Sequence, residues 1–111
     1  MFTKLSQQEE FIASQIVDIA IKIHKSLGPG LLESVYEKCF AYELTKRDLS
    51  YVRQKEVPIH YESLLLEDGL RLDLLVEDSV IIELKAQENF QPVWEAQLLS
   101  YLRLTNKRLG L

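Results

Sequence analysis

The sequence predicts a single α+β domain, an α/β sandwich in which helices pack on a small mixed sheet. Three observations predict this class. Apolar residues at helical spacing dominate the first 47 residues, alternating patterns typical of strands follow up to Lys85, and helical spacing returns after Pro92. An apolar segment begins again at Leu109. The predicted element order is therefore α-α-β-β-β-α, followed by the start of another strand.

Composition limits the function classes. The chain has 111 residues, 47% of them hydrophobic and 27% charged, which is typical of one ordinary globular domain. Its single cysteine, Cys39, excludes an internal disulfide and fits a reducing compartment, so we expect a cytoplasmic location. We recognise no signal peptide and no apolar run that could span a membrane. The net charge of −4 argues against a broad basic surface that coats DNA, while a local basic channel stays open.

Capping and breaking residues set the limits of the predicted helices. Ser6 to Glu9 has the form of a capping box, and isoleucines spaced by three and four then predict a helix over roughly residues 7–27. Gly28-Pro29-Gly30 ends it, and a second helix runs from there to about Arg47. Pro92 fits the first position of a third helix.

Two further extended segments precede the central hairpin. Residues 51–62 read as a strand, and Pro58 indicates an edge position or a strand start, because proline cannot donate to a β-ladder. A short strand or hairpin follows at residues 64–66. The composition of Glu67-Asp68-Gly69 predicts a turn that separates this segment from the next strand.

The stretch from Arg71 to Lys85 predicts the central hairpin. A polar turn around Asp78 joins two alternating strands, so that Asp73 lies directly opposite Glu83. The opposite face of the hairpin is apolar and comprises Leu72, Leu74, Val76, Val80, Ile82 and Leu84. Opposed residues have Cβ atoms roughly 5 Å apart, which brings the two carboxylates and Lys85 within reach of one another.

Asp73 and Glu83 thus form a pair of adjacent carboxylates, which repel each other unless a cation lies between them. Mg²⁺ prefers oxygen ligands and often takes one or two carboxylates together with waters and a substrate phosphate. Lys85 shares their face, where it can orient or deprotonate a water or steady a developing negative charge. The pattern is plausible for metal-assisted phosphodiester hydrolysis. The alternative is a solvated sheet face with a cross-strand salt bridge.

Four segments, in this order and at this spacing, resemble one known family. They are Gly30–Tyr36, of the form G-x-x-E-x-x-Y, then Arg71–Glu77, Val80–Ala86 and Glu95–Leu102. The chain closely resembles the GxxExxY family of small bacterial and archaeal proteins, which is grouped with the PD-(D/E)XK nuclease superfamily. The resemblance extends from about Ile16 to Leu111.

This resemblance implies a restriction-endonuclease-like αβββαβ core with the site at the opening of the central sheet. By position, Asp73 and Glu83 resemble the metal-binding carboxylates, and Lys85 resembles the catalytic lysine. Glu33 resembles an additional acidic residue, carried by a helix, that completes the metal shell. Gln97 resembles a helix glutamine that lies near the site in several branches. The implied cofactor is Mg²⁺ or Mn²⁺, and the implied partner is DNA or RNA.

Gly30 and Tyr36 belong to the G-x-x-E-x-x-Y motif that gives the family its name, and the sequence does not assign a role to Tyr36. Two departures from the family pattern bear on activity and assembly. Family members often carry a histidine in the segment where this chain has Trp94. The family's usual final strand is missing after Leu111, so we expect one domain over residues 1–111 with an exposed sheet edge, which a second copy could cover in a homodimer.

Two main functions remain open from the sequence. In the first, the protein is a metal-dependent nuclease, favoured by the complete set of Asp73, Glu83, Lys85 and Glu33. In the second, it is a non-catalytic nucleic-acid-binding or regulatory module that retains the nuclease fold, favoured by the acidic composition. A third reading is a subunit that acts only as an oligomer.

Overall fold

A computed structural model describes residues 6–85, 92–105 and 109–110 of the protein. The helices of this part, α1 to α3, span Gln7–Leu27, Glu33–Lys46 and Pro92–Thr105. Its strands, β1 to β4, span Tyr51–Tyr61, Leu64–Val76, Val80–Ile82 and Leu109–Gly110. The predicted order of elements is confirmed, and β4 begins at the predicted residue, while Leu111 lies outside the described residues. None of these helices is both long enough and apolar enough to cross a membrane.

The described strands form one mixed sheet in the order β1-β2-β3-β4. The strands β1, β2 and β3 pair antiparallel, and β4 joins β3 in parallel. β1 is an edge strand, as Pro58 indicates, and Pro58 lies where the register shifts between Val57 and Ile59. The fold is therefore the predicted α+β class, with a restriction-endonuclease-like topology.

The two ends of α1 are set by the signals visible in its sequence. Ser6 Oγ accepts the Glu9 N–H at 3.0 Å, and Glu9 Oε1 accepts the Ser6 N–H at 2.9 Å, which completes the capping box. At the other end Gly28 takes a φ of +69°, which only glycine adopts readily, and its N–H closes the last turn on the His24 carbonyl.

Helices α1 and α2 cover one face of the β2–β3 hairpin. Burying each large apolar side chain contributes roughly 1.5–3 kcal/mol, so this cluster anchors the hairpin against the two helices. The buried members are Ile12, Ile16, Ile19, Ile23, Phe40, Leu44, Leu74, Val76, Val80 and Ile82.

Helix α3 packs against a second cluster of the sheet. Its buried members are Leu70, Leu72, Leu75 and Ile81, and the partly buried Leu98, Tyr101 and Leu102 of α3 contact them. The sequence places Leu72 on one face with Leu74, but Leu72 packs here instead, which corrects that part of the predicted alternation. The change falls beside Gln54 of β1, whose φ of +51° departs from extended geometry, while the β1–β2 register is the same at Arg53 and Lys55 on either side.

The predicted turn at Glu67-Asp68-Gly69 is wrong, because these residues lie inside β2. The chain reverses at Glu62 and Ser63 instead, and Glu62 has a φ of +53° in this turn. Residues 67–69 have no partner in β1: they lie opposite Pro58, where the register shifts, and pairing continues on both sides, so the polar segment forms an irregularity within β2 instead of a chain reversal. Glycine suits position 69, since a Cβ there would run into the Ile59 side chain.

Candidate active site

The β2–β3 ladder ends at the predicted carboxylate pair. The last paired residues are Leu74 and Ile82, so Asp73 and Glu83 face each other one step further, in the predicted register. At this step, side-chain carboxylates accept main-chain N–H groups of the opposite strand in place of carbonyl oxygens. Asp73 Oδ2 accepts the Leu84 N–H at 2.8 Å, and Glu83 Oε1 accepts the Asp73 N–H at 3.4 Å. These reciprocal hydrogen bonds hold the two carboxylates together at the opening of the sheet.

The pKa of Glu83 reflects both its burial and the negative charge of the neighbouring Asp73. Burial raises the pKa of Glu83 to about 7, and the negative charge of Asp73 acts in the same direction. The Asp73 N–H and the Lys85 ammonium favour the ionised form and partly offset this rise. At neutral pH the pair therefore holds a proton much of the time, and a cation between the oxygens would replace that proton.

Lys85 lies two residues after Glu83, and its side chain is exposed. Its effect on the pKa of Glu83 shows that the ammonium is close enough to act on this site. Within the described part of the chain, no ion pair joins Lys85 to Asp73 or Glu83. This arrangement disfavours the alternative of a simple cross-strand salt bridge and leaves the ammonium accessible to a ligand.

Helix α2 places acidic residues against the same end of the sheet. Glu33, the predicted acidic residue of the helix, lines one cavity with Asp73, whereas Glu37 one turn later is buried beside it. The cavity has a volume of about 280 Å³, and its lining comprises Glu33, Ser34, Glu37, Gln54, Asp73 and Leu84. The helix and the hairpin thus contribute carboxylates to one concave surface.

Four residues of this surface were not predicted as site residues, and two of them, Glu37 and Gln54, are joined by hydrogen bonds. Glu37 Oε2 accepts hydrogen bonds from Nε and Nη2 of Arg53 at 3.1 and 2.8 Å. Glu37 Oε1 accepts one from Nε2 of Gln54, and the same nitrogen lies 3.4 Å from Asp73 Oδ1. The spacing of four residues from Glu33 could have indicated Glu37, because such residues share a helix face. Nothing in the sequence marks Gln54.

The motif residues Gly30 and Tyr36 have a structural role that the sequence left open. The Tyr36 hydroxyl donates to the Gly28 carbonyl at 2.6 Å and accepts the Leu31 N–H at 3.1 Å. Gly30 has a φ of +101°, a conformation that side chains strongly disfavour. Together they fix the α1–α2 connection, which sets where α2 begins and so where Glu33 meets the sheet.

Gln97 reaches the site only through another residue of α3. Its Nε2 donates to the Tyr101 hydroxyl at 2.9 Å. Burial raises the pKa of Tyr101, and the charges of Glu83 and Asp73 raise it too. Gln97 is not among the residues that line the cavity with Asp73. Its predicted proximity to the site is therefore indirect, and Tyr101 is a further residue that sequence reasoning assigned only to the core.

Trp94, which stands where the resembling family often has histidine, lies in the first turn of α3. The polar loop predicted between the central hairpin and this helix falls at residues 86–91, outside the described residues.

The donor set fits a hard divalent cation. In residues 6–85, 92–105 and 109–110, no three Asp, Glu, His or Cys side chains are grouped closely enough to enclose a metal without other ligands. Mg²⁺ rarely needs such a cage, because it keeps several waters and takes one or two carboxylates. Asp73 and Glu83 supply two adjacent carboxylates, and burial together with the charge of Asp73 raises the pKa of Glu83, so a bound cation would favour its ionised form.

An α+β domain with two adjacent carboxylates at the opening of a mixed sheet is typical of hydrolases that use a metal ion. The chain belongs to the PD-(D/E)XK nuclease superfamily, whose sequence profile matches residues 10–111. No curated protein and no solved structure matches the chain. Membership indicates a nuclease-type function, and proteins of this superfamily generally use divalent metal ions and act on nucleic acid.

Proposed function

We propose that the protein is an Mg²⁺- or Mn²⁺-dependent nuclease of the GxxExxY group, which hydrolyses phosphodiester bonds at Asp73, Glu83 and Lys85. The observation that carries the proposal is the pair of hydrogen bonds across the end of the β2–β3 ladder, in which Glu83 accepts the Asp73 N–H and Asp73 accepts the Leu84 N–H. It orients two carboxylates toward one point without consuming all of their lone pairs. The superfamily match over residues 10–111 supports a nuclease-type function.

Each residue of the site has a distinct task in this proposal. Asp73 and Glu83 would hold the cation, and Glu33 of α2, which lines a cavity with Asp73 but forms no three-carboxylate group with the pair, would add negative charge nearby. When bound, the cation polarises a phosphate oxygen and lowers the pKa of a water molecule. Lys85, exposed on the same side as Glu83, orients the attacking water and stabilises negative charge on the phosphate. Gln97 acts indirectly in this proposal, by holding the Tyr101 hydroxyl through its Nε2 donor.

The second candidate is a binding module that retains the fold without cleavage. Trp94 in place of a histidine and the net charge of −4 favour it. Both candidates predict nucleic-acid binding, so binding alone does not separate them.

Cleavage assays with matched variants test the proposal. Single- and double-stranded DNA and RNA are incubated with wild type, Lys85→Ala and Glu83→Gln in Mg²⁺, Mn²⁺ or EDTA. We expect wild-type cleavage only with metal, and a loss of at least about a hundredfold in either variant. Lys25→Ala, an exposed lysine at the end of α1, is the control and should cleave like wild type. Equal activity in all four proteins would indicate a contaminant and defeat the mechanism.

Failure of wild type to cleave any of these substrates, with nucleic acid still bound, would favour the binding module. Calorimetry provides a separate test of the metal site. Asp73→Asn removes one charged ligand and should weaken Mg²⁺ or Mn²⁺ binding, whereas equal binding by both proteins would refute the assignment of Asp73.

A further inference from the structure

The side chain of Gln54 joins two carboxylates that come from different elements. Its Nε2 donates to Glu37 Oε1 on α2 and lies 3.4 Å from Asp73 Oδ1 on β2. A primary amide nitrogen carries two hydrogens, one for each of these acceptors. The orientation of the amide follows from this environment, because its oxygen would be repelled in the same place.

The backbone at Gln54 is held in an uncommon conformation. Its φ of +51° departs from the extended geometry of β1, and such values are rare in residues other than glycine. A residue in this region costs of order 1–3 kcal/mol and persists only where the surroundings maintain it. Here the neighbours Arg53 and Lys55 stay paired with Leu74 and Leu72 of β2, so the irregularity is confined to the position beside Asp73.

Glu37 is fixed from the other side by Arg53. The side chain of Glu37 is only 8% exposed, and both guanidinium contacts fall on Oε2. Oε1 is therefore left to accept the Gln54 amide. Because the guanidinium compensates this buried charge, Glu37 is engaged in the support of Gln54 rather than available as a further ligand.

We propose that Gln54 is a positioning residue for Asp73, and that Glu37 and Arg53 hold its amide in place. This inference rests on the proposed function, in which Asp73 is a metal-binding carboxylate. With Gln54 on Oδ1 and the Leu84 N–H on Oδ2, both Asp73 oxygens have one donor and keep one lone pair each for a cation. The 3.4 Å contact is long, as hydrogen bonds around unliganded sites often are, and it shortens when the cation is bound.

Three substitutions at position 54 separate the amide from the backbone strain. Gln54→Gly keeps the positive φ at no steric cost and removes only the amide. Gln54→Ala removes the amide and retains the strain. Gln54→Glu keeps the shape but replaces the donor with a third carboxylate beside Glu37 and Asp73, so we expect it to be the most harmful of the three.

The first readout needs no metal. The Leu84 amide donates to Asp73 Oδ2, so its NMR resonance and hydrogen exchange report the position of that carboxylate. In metal-free Gln54→Gly we expect the resonance to move and exchange to accelerate about tenfold, the equivalent of one weakened hydrogen bond. Asp73→Asn serves as the reference variant, because it alters the carboxylate that accepts the Leu84 N–H. Glu56→Gln is the control, since Glu56 is an exposed β1 residue that pairs with Arg71 away from this network.

The second readout is the affinity for Mn²⁺, measured by calorimetry. Loss of a group that orients a metal ligand typically weakens binding by about 10- to 100-fold, which we expect for Gln54→Gly and Gln54→Glu. If Gln54→Gly leaves both the Leu84 amide and the Mn²⁺ affinity at wild-type values, the inference is overturned while the proposed nuclease can stand. If wild type binds no Mn²⁺ but Gln54→Gly still disturbs the Leu84 amide, the proposed function fails and the positioning of Asp73 is upheld.

Discussion

Replacing Glu83 by glutamine should stabilise the metal-free protein at high pH while it removes a metal ligand. The folded state raises the pKa of this carboxyl from its ordinary value of 4.5 to about 7, mainly through burial and with a contribution from Asp73. The folded protein therefore binds the proton more tightly than the unfolded chain. Protonation of Glu83 therefore stabilises the fold fully below pH 4.5, and this stabilisation is lost as the pH rises toward and through 7.

The size of the effect follows from the shift. Each pKa unit corresponds to about 1.4 kcal/mol, so the full shift would amount to roughly 3 kcal/mol above pH 7. Glu83 is only half-buried, and solvent screening reduces this figure to about 1 kcal/mol. Glutamine keeps an acceptor oxygen for the Asp73 N–H but has no charge. The free energy of unfolding of Glu83→Gln should thus exceed that of wild type by about 1 kcal/mol at pH 8 and match it near pH 4.5.

Urea unfolding followed by circular dichroism at pH 4.5, 6, 7 and 8, in EDTA, measures this difference. Glu67→Gln is the matched control, because Glu67 is an exposed carboxylate at the far end of the same hairpin. Added Mg²⁺ should raise the stability of wild type at pH 8 by mass action and leave Glu83→Gln nearly unchanged. A constant difference between wild type and Glu83→Gln across this pH range would refute the assigned pKa and with it the uncompensated carboxylate pair.

Further predictions concern the loop before α2 and self-association. Tyr36→Phe removes two hydrogen bonds from the α1–α2 connection and should lower the free energy of unfolding by about 1 kcal/mol, whereas Tyr42→Phe, on an exposed side chain, should have little effect in the same urea titration. Gly30→Ala should destabilise by roughly 1 kcal/mol or more because its φ is +101°, and a wild-type melting temperature would contradict this. We retain the prediction of a homodimer, to be tested by sedimentation equilibrium. Monomeric wild type at high micromolar concentration would exclude the dimer.

The elements that local patterns determine were predictable. The capping box and the isoleucine spacing placed α1 at residues 7–27, and alternation around Asp78 placed Asp73 opposite Glu83. Both rest on interactions between residues close in sequence or joined by a short turn. The turn predicted at residues 67–69 is wrong because these residues form an unpaired irregularity opposite Pro58, and local composition does not distinguish such an irregularity inside a strand from a turn that reverses the chain.

The rest of the site depends on contacts between distant segments. Gln54 meets Glu37 and Asp73 across 17 and 19 residues of sequence, so no periodicity connects them. Its positive φ is not signalled either, because glutamine is an unusual residue for that conformation. The helical spacing of Glu33 and Glu37 shows that they share a face, but it does not show which of them Arg53 engages.

The charges around the cavity explain how an acidic protein can act on nucleic acid. Arg53 compensates Glu37, which leaves Glu33, Asp73 and Glu83 with Lys85 as the nearby cation among the described site residues. A phosphate approaching this surface is repelled until a divalent ion offsets the excess negative charge. Binding of nucleic acid should therefore depend on the divalent ion more than on a broad basic surface, and the affinity should fall less steeply with monovalent salt than it does for proteins that neutralise many phosphates. In the proposed nuclease, the residues that weaken the metal-free fold at neutral pH would thus make the cation a requirement for binding as well as for cleavage.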